Sequence, residues 1–186
     1  RIQKADVEVI GVYSPIHRIG KTQYALQLAK EFAKKGNTLY LNLEAYAGRQ
    51  EGEEETGGLT EILYYLRQGC KNMGIRLETL VKHEEAVDYL VPIEMYQDLK
   101  SVTEEEWKQL LTEIAEKSIY ETVVLDIGDA IRGTYGILEL CSCIYTPIVQ
   151  EETAQRKLEQ YRHNLTAMGL DCVLERTIFV EVRELL

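Results

Sequence analysis

Residues 7–22 read Val7-Glu8-Val9-Ile10-Gly11-Val12-Tyr13-Ser14-Pro15-Ile16-His17-Arg18-Ile19-Gly20-Lys21-Thr22. Val7 to Tyr13 is a β-branched run ending in Ser14-Pro15, the pattern of a buried strand that enters a loop. From Lys21 the period changes. Tyr24, Ala25, Leu28, Ala29, Phe32 and Ala33 fall on one face of a helix that reaches Lys35 and is stopped by Gly36-Asn37. Thr38 to Leu43 (TLYLNL) is a second strand. Strand, loop, helix and strand in this order imply a parallel pair joined by a right-handed crossover.

The same alternation continues outward. Glu44 to Gly58 is a polar, acidic loop, read as a mobile and solvated face. Leu59 to Arg67 forms a short helix, and Ile75 to Pro92 is ambiguous apart from a strand at Val87–Val91. Thr103-Glu104-Glu105-Glu106 is a capping box that opens a helix to about Lys117. Strands follow at Tyr120–Asp126 and Ile144–Val149, then a helix over Glu151–Met168 and a last strand at Arg176–Val182. Strands alternating with helices give an α/β fold with a doubly wound, mostly parallel sheet flanked by helices. Ligands of such sheets lie at the carboxyl ends of the strands, so the loops after Tyr13, Leu43 and Leu125 are expected to meet. No internal repeat or linker divides the 186 residues, which read as one domain.

The segment Ser14–Thr22 carries the chemistry. Successive backbone N–H groups at a helix N-terminus attract an anion, and Gly20 lets the backbone approach a phosphate without a Cβ. Lys21 would reach the β- and γ-phosphates of a nucleotide, and the Thr22 hydroxyl would ligate Mg²⁺. Pro15 stands where the general GxxxxGK[ST] pattern has glycine. Asp126 leaves a buried strand and suits a Mg²⁺ contact, or alternatively caps a turn. Glu44 could orient an attacking water or sense a γ-phosphate, or be a solvent-facing residue at a loop mouth. Arg18 could touch phosphate oxygens in cis or across a dimer, or pair with Asp126 or Asp129. The candidate nucleotide-binding residues are therefore Ser14, Pro15, His17, Arg18, Ile19, Gly20, Lys21, Thr22 and Gln23. Lys21, Glu44 and Asp126 are the catalytic candidates, and Thr22 and Asp126 the metal ligands.

The net charge of −10 argues against broad binding to nucleic-acid backbones and against docking on an anionic membrane. No apolar run approaches the ~20 residues of a membrane span. The four cysteines lack CxxC spacing and read as reduced core thiols, and the three histidines are too scattered to form a zinc site. The chain holds 12 Tyr against two Phe and one Trp, so its aromatic core is amphipathic and each buried hydroxyl needs a partner. These tyrosines are spread along the chain, which does not favour the reading of a tyrosine kinase of related fold.

With its loop, helix and strands together, the sequence resembles the deviant P-loop ATPases of the ParA/MinD group. Their loop commonly reads SPKGGVGKTT, and Ser14-Pro15 align with its start without a gap. YALQLAKEFAKKG, TLYLNLE and VVLDIGD fall on the group's helix, switch I strand and switch II strand. The signature lysine falls on Ile16, the two central glycines on His17 and Arg18, and the two switch I aspartates on Asn42 and Glu44. SPIxRxGKT, with LYLNLE and IYTPIVQEETAQRKLEQY, is more similar to the TadZ/CpaE-like branch, associated with polar localisation and assembly of Flp pili. The resemblance implies an ATP- and Mg²⁺-binding switch with weak or slow hydrolysis in the bacterial cytoplasm, acting as a homodimer with pilus-assembly or polar partners. Members often carry a receiver-like domain upstream, so the chain is expected to be a fragment lacking one. The alternative is a nucleotide-free pseudo-ATPase that serves as a scaffold for partner proteins.

Overall fold

The computed structural model describes residues 7–48 and 57–182. Seven strands form one sheet in the order β3-β4-β2-β5-β1-β6-β7. They are β1 (Glu8–Val12), β2 (Thr38–Leu43), β3 (Lys82–Glu84), β4 (Val87–Tyr89), β5 (Thr122–Ile127), β6 (Cys143–Ile148) and β7 (Thr177–Glu181). Every neighbouring pair is parallel except β3–β4. The helices are α1 (Lys21–Ala33), α2 (Gly58–Arg67), α3 (Met73–Leu80), α4 (Tyr96–Ser101), α5 (Glu104–Lys117), α6 (Thr134–Leu140), α7 (Glu152–Ala167) and α8 (Asp171–Glu175).

Period-two alternation sorts the central strands between two cores. Ile10, Val12, Tyr40 and Val124 pack with Ala25 and Ala29 of α1 on one face. Leu39, Leu41, Leu43, Val123, Leu125 and Ile127 point the other way, into the larger core that holds Trp107, Leu110 and Ile114 of α5. Asp126 follows Val124 by two residues and so lies on the α1 face. The register aligns Val12 and Asn42 with Asp126, which brings the ends of β1, β2 and β5 side by side.

The predicted strands and long helices are present, with ends shifted by one or two residues and Val87–Val91 shortened to β4. Four short helices, α3, α4, α6 and α8, and the antiparallel strand β3 add to the expected elements. Strand β3 is exposed at all three positions, a polar edge without the alternation that reveals a strand. In α6, Gly136 disguises the helix; a Cβ there would lie 2.1 Å from a Glu104 carboxylate oxygen, so α5 packs directly on its backbone. The acidic loop expected over Glu44–Gly58 lies largely outside the described residues, and Gly58 opens α2.

Three buried tyrosines find hydroxyl acceptors, on Asp129 for Tyr13, Asp126 for Tyr40 and Asp88 for Tyr120. Tyr161 departs from that expectation, because its hydroxyl has no hydrogen-bond partner among the described residues. All four cysteines are free thiols. Cys141 is fully buried, its thiol pushed up to about 12 by burial, and its sulfur rests against Gly11, where a Cβ would come within 2.8 Å.

The expected capping box is formed at α5. Glu106 N–H donates to Thr103 Oγ1 at 3.2 Å, and Thr103 N–H donates to Glu106 Oε2 at 2.8 Å. Arg67 adds a donor at 2.6 Å, and its hydrogen bond holds the Glu106 carboxyl down at about 2. Thr103→Ala is expected to cost about 1 kcal/mol in urea denaturation. The Glu106 pKa is depressed in the folded state, so its contribution is complete above about pH 4.5 and fades as pH falls toward about 2. Glu106→Gln should remove that part of the acid sensitivity.

Candidate functional site

The loop from β1 to α1 is held from below. Ser14 is buried; its hydroxyl donates to the Pro147 carbonyl at 2.8 Å and accepts Ile16 N–H at 3.1 Å. Pro15 is half-buried. Ile16 is only 6% exposed and packs with Val149 and Ala154, joined by Ile19, Ile148 and Val182. The position that resembles the signature lysine is thus an apolar pin beneath the loop. His17 and Arg18 are exposed above it. Arg18 adopts φ 58°, a left-handed conformation that costs a non-glycine residue roughly 1–2 kcal/mol. Gly20 takes φ 72° and is the N-cap of α1. It has no side chain to cap the helix, so the N-terminus of α1 at Lys21, Thr22 and the exposed Gln23 offers peptide dipoles to an anion.

The loops after β1, β2 and β5 meet as expected. The Lys21 ammonium bonds the Asp126 carboxylate, lies 2.5 Å from Glu44 Oε1 and donates to the Ile127 carbonyl at 2.9 Å. Its three N–H groups are thereby all engaged. Asp126 is completely buried and accepts two further bonds, from Thr22 Oγ1 at 2.7 Å and the Tyr40 hydroxyl at 3.2 Å. Burial and then the Asp126 charge drive the Tyr40 pKa upward, so this hydroxyl remains a donor. Glu44 is placed by its own backbone N–H, which donates to Asn42 Oδ1 at 2.9 Å. Gly128 makes room for its carboxylate, since a Cβ there would lie 2.5 Å from Glu44 Oε2.

A second link joins the same loops. Asp129 accepts from the Tyr13 hydroxyl at 2.8 Å and faces His17 Nε2 at 3.6 Å. The partners of Asp126 and Asp129 are therefore Lys21, Thr22, Tyr40, Tyr13 and His17, and the alternative pairing of Arg18 with either carboxylate is not adopted. Sequence reading missed Tyr40 and Tyr13 at the site. The signal for Tyr40 was its place in the strand, because alternation puts it on the face of Val124 and Asp126.

Among the described residues no group of three or more His, Cys, Asp or Glu side chains is arranged to hold a metal ion. The pair Thr22–Asp126 nonetheless suits Mg²⁺. It offers hard oxygens 2.7 Å apart, and Mg²⁺ commonly takes one or two protein ligands, completing its shell with water and phosphate.

No protein-family profile matches this chain, and no curated protein matches it. Solved structures do. The ParA family ATPase from Chlorobium tepidum TLS superposes with a TM-score of 0.72 at 16% identity, over 94% of this chain and 73% of that one. MinD in the MinC:MinD cell division complex of Aquifex aeolicus gives 0.66 at 15% identity, over 94% and 68%. The VpsO kinase domain gives 0.67 at 20% identity, over 97% and 86%. At these identities the likeness concerns the fold alone, a mostly parallel seven-stranded sheet flanked by helices that this chain shares with the ParA family ATPase and MinD structures.

If Ile16 pins the loop, Ile16→Ala should cost about 2 kcal/mol, and Ile16→Lys should be no more stable, because it brings an ammonium to an apolar cluster. Urea denaturation checks both, and unchanged midpoints would mean that the side chain anchors nothing.

Proposed function

We propose that this chain is an ATP-binding switch protein of the deviant ParA/MinD kind with weak or slow hydrolysis. One observation carries the reading: Lys21 and Thr22, at the uncapped N-terminus of α1, converge on the buried Asp126 where β1, β2 and β5 end. A lysine, a hydroxyl and a carboxylate placed there are the parts needed to hold a nucleotide's phosphates and their cation. Lys21 binds the β- and γ-phosphates, and the N–H groups of Gly20 to Gln23 surround them. Thr22 and Asp126 hold Mg²⁺, which when bound neutralises phosphate charge. Arg18 faces the phosphates of its own chain or of a second copy, with Ser14, Pro15, His17 and Ile19 shaping the loop around it. Glu44 senses the γ-phosphate or orients water.

Slow turnover follows from Ile16. Buried in its cluster, it gives the loop no ammonium at the signature position to extend toward another subunit. Choice of ATP and a role in polar localisation and assembly of a Flp-type pilus rest on the resemblance to the TadZ/CpaE-like branch. On the same ground the protein works as a homodimer in the bacterial cytoplasm with pilus-assembly or polar partners, as one P-loop domain that follows a receiver-like domain. Among the described residues no helix is long and apolar enough to cross a membrane.

A second reading, a pseudo-ATPase scaffold, draws on the same pinned loop and on a Lys21 already engaged by two carboxylates. Calorimetric titration with ATP and Mg²⁺ separates the two, with light scattering to follow mass. The parent is expected to bind and Lys21→Ala to lose at least tenfold in affinity. Equal binding by both proteins would overturn the assigned role of Lys21, and binding by neither would favour the scaffold. Phosphotyrosine formed on incubation with ATP would instead make the protein a kinase.

A further inference from the structure

The geometry points to Glu44 as a tethered anion that competes with phosphate for Lys21 and, when displaced, releases the β2 loop. This rests on the reading of Lys21 as the phosphate-binding lysine and adds a regulation to that site. The charges set the problem. One ammonium faces two carboxylates, so the site is already net negative before a polyphosphate arrives. Lys21 has no spare N–H for a phosphate oxygen while its partners remain in place.

The two carboxylates are unequal. Asp126 is fully buried and keeps donors from Thr22 and Tyr40 if Lys21 turns away. Losing the cation beside a buried carboxylate is costly, but two hydroxyl hydrogen bonds to Asp126 would remain. The Glu44 side chain is 30% exposed, and Lys21 is its one ion-pair partner among the described residues. Its other oxygen rests over Gly128. An arriving phosphate therefore takes Lys21 from Glu44, and repulsion between two anions drives the Glu44 carboxylate toward solvent.

That movement has somewhere to go. Two residues on, Tyr46 is 86% exposed and stacks on Tyr96 of α4, with ring centres 6.3 Å apart and planes 8° from parallel. Lys100 lies over the Tyr96 ring at 5.7 Å. Expulsion of Glu44 pulls on the short segment that carries Tyr46, so phosphate binding loosens the contact between the β2 loop and α4.

The test titrates inorganic tripolyphosphate without divalent cation, and ATP in parallel, into the parent, Glu44→Gln, Gly128→Ala and Glu105→Gln. Circular dichroism first confirms that each variant is folded. Glu44→Gln removes the competing charge, and Gly128→Ala evicts the carboxylate without changing the net charge. Glu105, exposed on the outer face of α5, reports the effect of losing one remote negative charge. We expect Glu44→Gln to bind tripolyphosphate at least tenfold more tightly than the parent, Gly128→Ala to shift the same way, and Glu105→Gln to match the parent. Adding Lys21→Ala to Glu44→Gln should abolish the gain. Hydrogen exchange should show residues 44–48 less protected in ligand-bound parent and in free Glu44→Gln than in free parent. If the parent binds ATP and neither Glu44→Gln nor Gly128→Ala binds more tightly, the competition is overturned while the nucleotide reading stands. If no variant binds either ligand, both fall. If tripolyphosphate binds Glu44→Gln more tightly but ATP does not bind, the competition stands and the nucleotide reading falls.

Discussion

A carboxylate with no solvent exposure needs donors, and Asp126 draws three of them from two separate elements. Tyr40 comes from β2, and Lys21 and Thr22 come from the first turn of α1. The demand fixes the distance between α1 and the sheet at the carboxyl end, where the helix packs through small residues, Ala25 and Ala29. Everything else at the site is arranged around that anchor. The loop before α1 must place Lys21 over the strand ends, and β2 must present Tyr40 on the same face as Asp126.

The ends of the chain's central strands thus form one electrostatic unit. Asp129 extends it by linking the end of β1, through Tyr13, to the loop, through His17. Glu44 extends it to β2 through Lys21 and over Gly128. A perturbation of any one loop is felt by the other two, because each shares a charged or hydrogen-bonded partner with its neighbour.

Much of this was legible in the sequence. The change from a two-residue to a helical period at Lys21 exposed the strand–loop–helix unit, and a carboxylate ending VVLD marked the neighbouring strand. Thr103 and Glu106 gave the start of α5 by their spacing alone. Other features have no local signal. The Lys21–Glu44 pair depends on β5 lying between β1 and β2, and strand order is a tertiary property. Helices α3, α4, α6 and α8 have eight, six, seven and five residues, too short for a clear periodic stripe. Tertiary packing supports them, as Glu104 does across Gly136. The loss of lysine at position 16 was visible, but its consequence was not, since burial of Ile16 depends on Val149 and Ala154, more than 130 residues away.

That burial bears on thermodynamics as well as on charge. A glycine-rich loop is ordered largely by the ligand it grips, so its lost freedom is charged against binding. Here the isoleucine side chain, the Ser14 hydrogen bonds and the left-handed Arg18 set the loop when the chain folds. The entropy of ordering it has already been lost before any anion arrives. A ligand meets a rigid cradle, and the strength of binding is left to the charges inside it.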